Sequence, residues 1–170
     1  MSAKETMNPN RLEEIAAVLA GLGGKPDDRA SIRGESERLR GLLARLGETV
    51  TETNPVRVFS SPARTEIGGN HTDHQRGCVL CAAVGLDILA VARATHSDEV
   101  VLESEGMGPP DRVDLRVADP QPGEIGHSAA LIRGVSVWFI QHGYRVGGFE
   151  AATTSRIPRG AGLSSSAAFE

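Results

Sequence analysis

Glycine placement constrains this chain more than any other feature. Its 170 residues include 20 glycines, about 12% against an ordinary ~7%. They cluster at residues 68–77 and 160–162. Glycine is costly inside helices and strands and favoured where backbone turns tightly or lies close to a ligand. The chain is therefore expected to build two shaped loops on a scaffold supplied by everything else. Hydrophobic residues make up 39% and aromatics only 4%, so the core must be aliphatic and wholesale disorder is excluded.

The remaining composition narrows the function class. Eighteen Lys+Arg against 22 Asp+Glu leave a formal charge of -4, which gives no reason to expect nucleic acid or an anionic membrane as partner. No apolar run approaches the ~18 residues of a spanning helix. The N-terminus lacks a basic n-region, and its apolar stretch from Ile15 to Ala20 is short and sits behind Glu13 and Glu14, unlike a signal peptide. Cys78 and Cys81 are too few for a disulfide scaffold and read as small core residues. A soluble cytoplasmic protein is expected.

Periodicity predicts a helix over 8–22, with Asn8 as N-cap, Pro9 at its first position and Leu12, Ile15, Ala16 and Leu19 on one face. Residues 25–30 read as a polar linker. A second helix over about 31–46 carries Ile32, Leu39, Leu42, Leu43 and Leu46 as its stripe and ends at Gly47. Residues 1–50 are thus read as a helical N-terminal arm and 51–170 as a partial domain. In that domain Val56–Phe59 reads as a short strand and 60–77 as a long loop. The apolar segment 78–94 reads as two buried strands turning near Gly85, with one buried helix left open by periodicity. Val100–Glu103, Arg112–Val117 and Phe149–Ser155 read as strands, and His127–His142 as a helix with Leu131, Val135, Trp138 and Phe139 on one face. A helix opening at Ser164–Glu170 has barely one turn, too little to hold itself, so the sequence is read as the N-terminal piece of a longer protein.

Two loops carry candidate chemistry. Residues 158–168, Pro-Arg-Gly-Ala-Gly-Leu-Ser-Ser-Ser-Ala-Ala, form a glycine turn feeding a helix start with three hydroxyls. Free N–H groups and hydroxyls there favour an anion, and a serine oxygen can reach Mg²⁺; an ordinary capped helix fits the same letters. There is no Lys in the Walker position, no third glycine of a dinucleotide fingerprint and no closing glycine of a nucleophile elbow. Residues 61–77 gather Arg64, Asn70, His71, Asp73 and His74. Such a fan of donors and acceptors suits a polyol. His71, Asp73 and His74 as metal ligands lack an obvious fourth partner.

Together these loops resemble the GHMP family of small-molecule kinases, and within it the galactokinases. Pro158-Arg-Gly-Ala-Gly162-Leu-Ser-Ser-Ser-Ala167 matches the family form P-x-x-x-G-L-S-S-S-A, and Ala63-Arg64-Thr-Glu-Ile-Gly-Gly69-Asn70-His71-Thr72-Asp73-His74 is similar to G-R-x-N-L-I-G-E-H-T-D-Y. The resemblance covers roughly residues 55–170. It implies an α+β fold of the ribosomal protein S5 domain 2-like type, truncated and preceded by the helical arm. It implies ATP and Mg²⁺ as cofactors and galactose or a related monosaccharide as the ligand. Arg64 would sit beside the reacting hydroxyl, and Asn70, His71 and Asp73 would bind the sugar. Gly160, Gly162, Leu163, Ser164, Ser165 and Ser166 would wrap the phosphates, with Ser166 also near the metal. The implied reaction is γ-phosphoryl transfer to the anomeric hydroxyl, with the catalytic Asp of the family lying beyond residue 170. Asn70 stands where the signature has Glu, His74 where it has Tyr and Ala63 where it has Gly. The first change removes a charged acceptor and leaves N-acetylgalactosamine as an alternative sugar; a non-catalytic galactose/ATP sensor is the alternative of another class.

Overall fold

The structure is a computed structural model and describes residues 9–47, 55–70, 72 and 75–170. Helix α1 spans Pro9–Leu22 and α2 spans Arg29–Arg45; the expected Asn8 cap lies outside the described residues. α2 begins two residues earlier than its apolar stripe requires, because Asp28 caps it. The Asp28 carboxylate accepts from the backbone N–H of Ala30 and Ser31, both at 3.2 Å. Leu12, Ala16 and Leu19 of α1 and Leu39 and Leu42 of α2 are buried in one cluster, so both apolar stripes do what their spacing implies.

Five strands follow among the described residues: β1 Arg57–Gly68, β2 Leu80–Ala94, β3 Glu99–Ser104, β4 Asp111–Asp114 and β5 Phe149–Ser155. They form one sheet in the order β1-β2-β5-β3-β4. All pairs are antiparallel except β3 with β5. Side-chain alternation divides the sheet's two faces. Leu89, Val91 and Ala152 face α1 and α2, whereas Ile88, Ala90, Ala92 and Ala151 face the other side. There they line an apolar groove of about 370 Å³ with Leu131 and Val135. On that second side lie α3, Ser128–Gln141, and α4, Ser165–Phe169.

Three readings of the sequence differ from the structure. Residues 60–68 are not loop but the larger part of β1. The polar run Ser60-Ser61-Pro62 hides the strand because β1 is a sheet edge, and a register shift at Pro62/Arg64 absorbs the proline. Residues 80–94 form a single strand of 15 residues. It does not turn at Gly85, because its first half pairs only with β1 while Ile88–Ala94 pair with β5 as well. The buried stripe of α3 is Ala129, Arg133 and Ser136, with Ile132 half-buried beside it, not Trp138 and Phe139, which are 51% and 40% exposed. Small residues let α3 approach the sheet, and a buried ion pair selects that stripe.

The Arg133 guanidinium clasps Glu124 and holds its carboxyl below the ordinary 4.5. The Arg116 side chain pulls Asp114 from 3.8 to about 2. A depressed carboxyl contributes stability that is fully present above its unfolded pKa and is lost as pH falls through its folded one. Urea midpoints are therefore expected to hold above about pH 5 and fall progressively toward pH 2. Glu124→Gln should flatten the upper part of that decline; a midpoint unchanged between pH 6 and pH 2.5 would contradict the coupling.

Candidate functional site

The two segments singled out by sequence meet in space at Arg64 and Leu163. Arg64 lies on β1, opposite Ala83 of β2, and its side chain is exposed. Its backbone N–H donates to the carbonyl of Leu163 at 3.2 Å, tying the β1 strand to the glycine loop. Beneath that bond Ala63 is fully buried with Ile157 and Ala168, and Leu163 packs on the same cluster. An alanine at 63 thus serves as a small floor where loop and strand approach closely.

The glycine loop takes its shape from backbone that side chains resist. Gly160 and Gly162 have φ of 70° and 69°, and Ser164 follows at φ 56° in the left-handed region. Upstream, the Ser155 hydroxyl accepts from the N–H of Ile157 at 3.1 Å, and the N–H of Arg156 donates to the Asp87 carbonyl at 2.9 Å. The loop is therefore anchored at its entry by β2 and at its exit by β1. Ser165 and Ser166 open α4 and are exposed.

These serines line a cleft of about 800 Å³ that runs from α4 across the end of β5 toward β3 and the start of α3. Its far wall includes Glu105, Asp111 and Ser128, none of which the sequence reading singled out. Asp111 accepts from the Ser128 hydroxyl. Glu105 accepts from the Thr154 hydroxyl at 2.6 Å and from Arg45 at 3.1 Å. The Thr154 bond comes first among the causes that hold the Glu105 carboxyl below its ordinary value. His127, at the start of α3, is on this wall too. No spacing rule links residues 105, 111, 127 and 154; only the crossing of β3, β5 and α3 does.

Of the polyol candidates, Asn70 sits just past the end of β1. Asn70 is exposed with φ 57°, immediately after Gly69 at φ 123°, where a Cβ would fall 2.6 Å from Val79. Thr72 donates from its hydroxyl to the Gly69 carbonyl at 2.8 Å, and its own carbonyl accepts from Gly77 at 2.8 Å, closing a tight loop. His71, Asp73 and His74 lie outside the described residues. Among the described residues no group of three His, Cys, Asp or Glu could hold a metal ion, and no helix is long and apolar enough to cross a membrane.

The chain is similar to known proteins in sequence and in fold. The galactokinase galactose-binding signature matches residues 48–94. The chain is 36% identical over 130 residues to a galactokinase of Streptomyces coelicolor, covering 74% of this chain and 33% of that protein. It is 36% identical over 113 residues to a galactokinase of Pyrococcus furiosus, covering 66% and 30%. Lactococcus lactis galactokinase, solved in complex with galactose, superposes with a TM-score of 0.68 at 30% identity over 79% of this chain and 34% of that one. A Methanococcus jannaschii mevalonate kinase shares the fold, with a TM-score of 0.54 at 19% identity over 66% of this chain and 36% of that one. The α+β architecture, the galactose-binding signature and these relatives converge: the chain is similar to the galactokinases and spans about a third of the length of the relatives it matches.

Proposed function

We propose that this chain forms the sugar- and nucleotide-holding part of an ATP-dependent sugar 1-kinase. Asn70, His71 and Asp73 hold galactose or a close relative, and Arg64 stands beside the anomeric hydroxyl. Gly160, Gly162, Leu163 and Ser164 to Ser166 wrap the phosphates of ATP. The reaction forms a bond from the anomeric oxygen to the γ-phosphorus and breaks the bond from that phosphorus to the β-bridging oxygen, releasing ADP. The hydroxyl proton goes to a base outside these residues, in the part of the family's length this chain does not span. Such chemistry depends on positioning and charge neutralisation. A fixed guanidinium at the transferring group supplies the second.

One observation carries the reading. The hydrogen bond from the Arg64 N–H to the Leu163 carbonyl fastens the candidate sugar side to the candidate phosphate loop, beside a cleft of about 800 Å³ with Ser165 and Ser166 on its wall. The Ser166 hydroxyl is a hard oxygen of the kind Mg²⁺ takes alongside phosphate oxygens and water. Residues 51–170 carry both loops in this reading, residues 1–50 are the helical arm, and the protein works in the cytoplasm, where ATP is supplied.

Calorimetric titration of the purified chain with MgATP, and with galactose, N-acetylgalactosamine and glucose, tests the proposal. MgATP and one of the two galacto-configured sugars are expected to bind, glucose is not, and ADP release with galactose is expected to stay at background. Failure to bind any nucleotide refutes the reading, and steady ADP release refutes the placement of the base outside the chain.

A further inference from the structure

We propose that Arg159 is the cation of the cleft and grips the polyphosphate tail of the bound nucleotide; the inference rests on the reading of that cleft as a nucleotide site. A polyanion entering the cleft meets two carboxylates, Glu105 and Asp111, and one guanidinium, Arg159. Both carboxylates are already committed, Glu105 to Thr154 and Arg45, Asp111 to Ser128. Among the described residues Arg159 is committed to nothing charged. Its only side-chain hydrogen bond among the described residues goes to the sulfur of Met107, a neutral and weak acceptor. Arg156, three residues earlier on the same segment, is by contrast paired with Glu35.

The position of Arg159 fits the task. It immediately precedes Gly160, so it belongs to the same loop as the glycines at positive φ, and it shares the cleft wall with Ser165 and Ser166. Phosphate loops of the Walker type place a lysine on the loop itself, and this loop has none there. Arg159 fills that electrostatic gap from the opposite end of the glycine turn. A planar guanidinium donates two parallel N–H bonds to phosphate oxygens, and exchanging a thioether for a phosphate forfeits little. Arg64 does not line this cleft; in the proposed reading it stands at the transferring group, and Arg159 holds the rest of the tail.

Calorimetry on the full chain, with ATP, ADP, adenosine and inorganic tripolyphosphate as probes, reads the effect directly. Arg159→Gln is expected to weaken ATP, ADP and tripolyphosphate by about tenfold to a hundredfold, the range of one charge-assisted contact. Adenosine should bind within about twofold of the parent, and Arg159→Lys should recover part of the loss. Because Arg159 is exposed, both variants should melt with the parent chain. If the parent binds ATP and Arg159→Gln binds it equally well, the proposal is overturned while the nucleotide site stands. Equal weakening of adenosine and ATP also overturns it, by showing a structural role. A parent chain that binds no nucleotide overturns both readings together.

Discussion

Arg133→Met is expected to lower the unfolding free energy by about 3–5 kcal/mol, the range for removing one partner of a buried ion pair. Arg133 is only 6% exposed. It donates through Nε and Nη2 to the two oxygens of Glu124 at 2.7 and 2.6 Å, and through Nη1 to the carbonyls of Asp114, at 2.9 Å, and Val117. One guanidinium thus fastens α3 to the end of β4 and to the short 3-10 turn Pro122–Glu124. Methionine fills much of the volume but leaves a carboxylate and two carbonyls without their donor. Lysine would not rescue the site, because an ammonium lacks the fork that meets both carboxylate oxygens. Urea unfolding followed by far-ultraviolet circular dichroism measures the loss. Adding Glu124→Gln to Arg133→Met should recover part of it, and a single-variant loss below about 1 kcal/mol would show a pair screened like a surface one.

The second large effect is expected at Glu35, which is 4% exposed on α2. Its carboxylate accepts from Arg38 at 3.1 Å and from Arg156. Arg38 also donates to Asp87 at 2.9 Å, and Asp87 accepts from the Ser60 hydroxyl at 2.7 Å. Helix α2, strands β1 and β2 and the entry to the glycine loop meet in this network. Glu35→Ala should cost about 3 kcal/mol, the low end for breaking a buried pair, because Asp87 still faces Arg38. It should also weaken nucleotide binding more than an equally destabilising Leu39→Ala, since only the former releases Arg156 at the loop's entry. A double-mutant cycle with Arg38→Met isolates the coupling. A coupling energy near zero would mean that Glu35 is held by packing alone.

Much of the scaffold was legible because periodicity survives tertiary folding. The stripes of α1 and α2 and the limits of β5, Phe149–Ser155, follow from spacing alone. The larger part of β1 was not legible: an edge strand tolerates Ser, Pro and Arg that a central strand rejects, so its letters read as loop. Nor was the unbroken length of β2, since glycine at 85 signals a turn unless strands on its flank hold the chain straight. On α3 two apolar stripes compete, and the sequence cannot rank them. The small residues and Arg133 win because the sheet edge and the 124 turn happen to lie there.

Local order along the chain determined the chemistry of the two loops, because a glycine's φ and a serine's hydroxyl act within a few bonds of where they are written. Only the tertiary structure decided which distant groups share the cleft with them. Glu105, Asp111, Ser128 and Arg159 come together through the crossing of strands β3 and β5 with α3, and contacts made by residues tens of positions apart leave no period in the sequence.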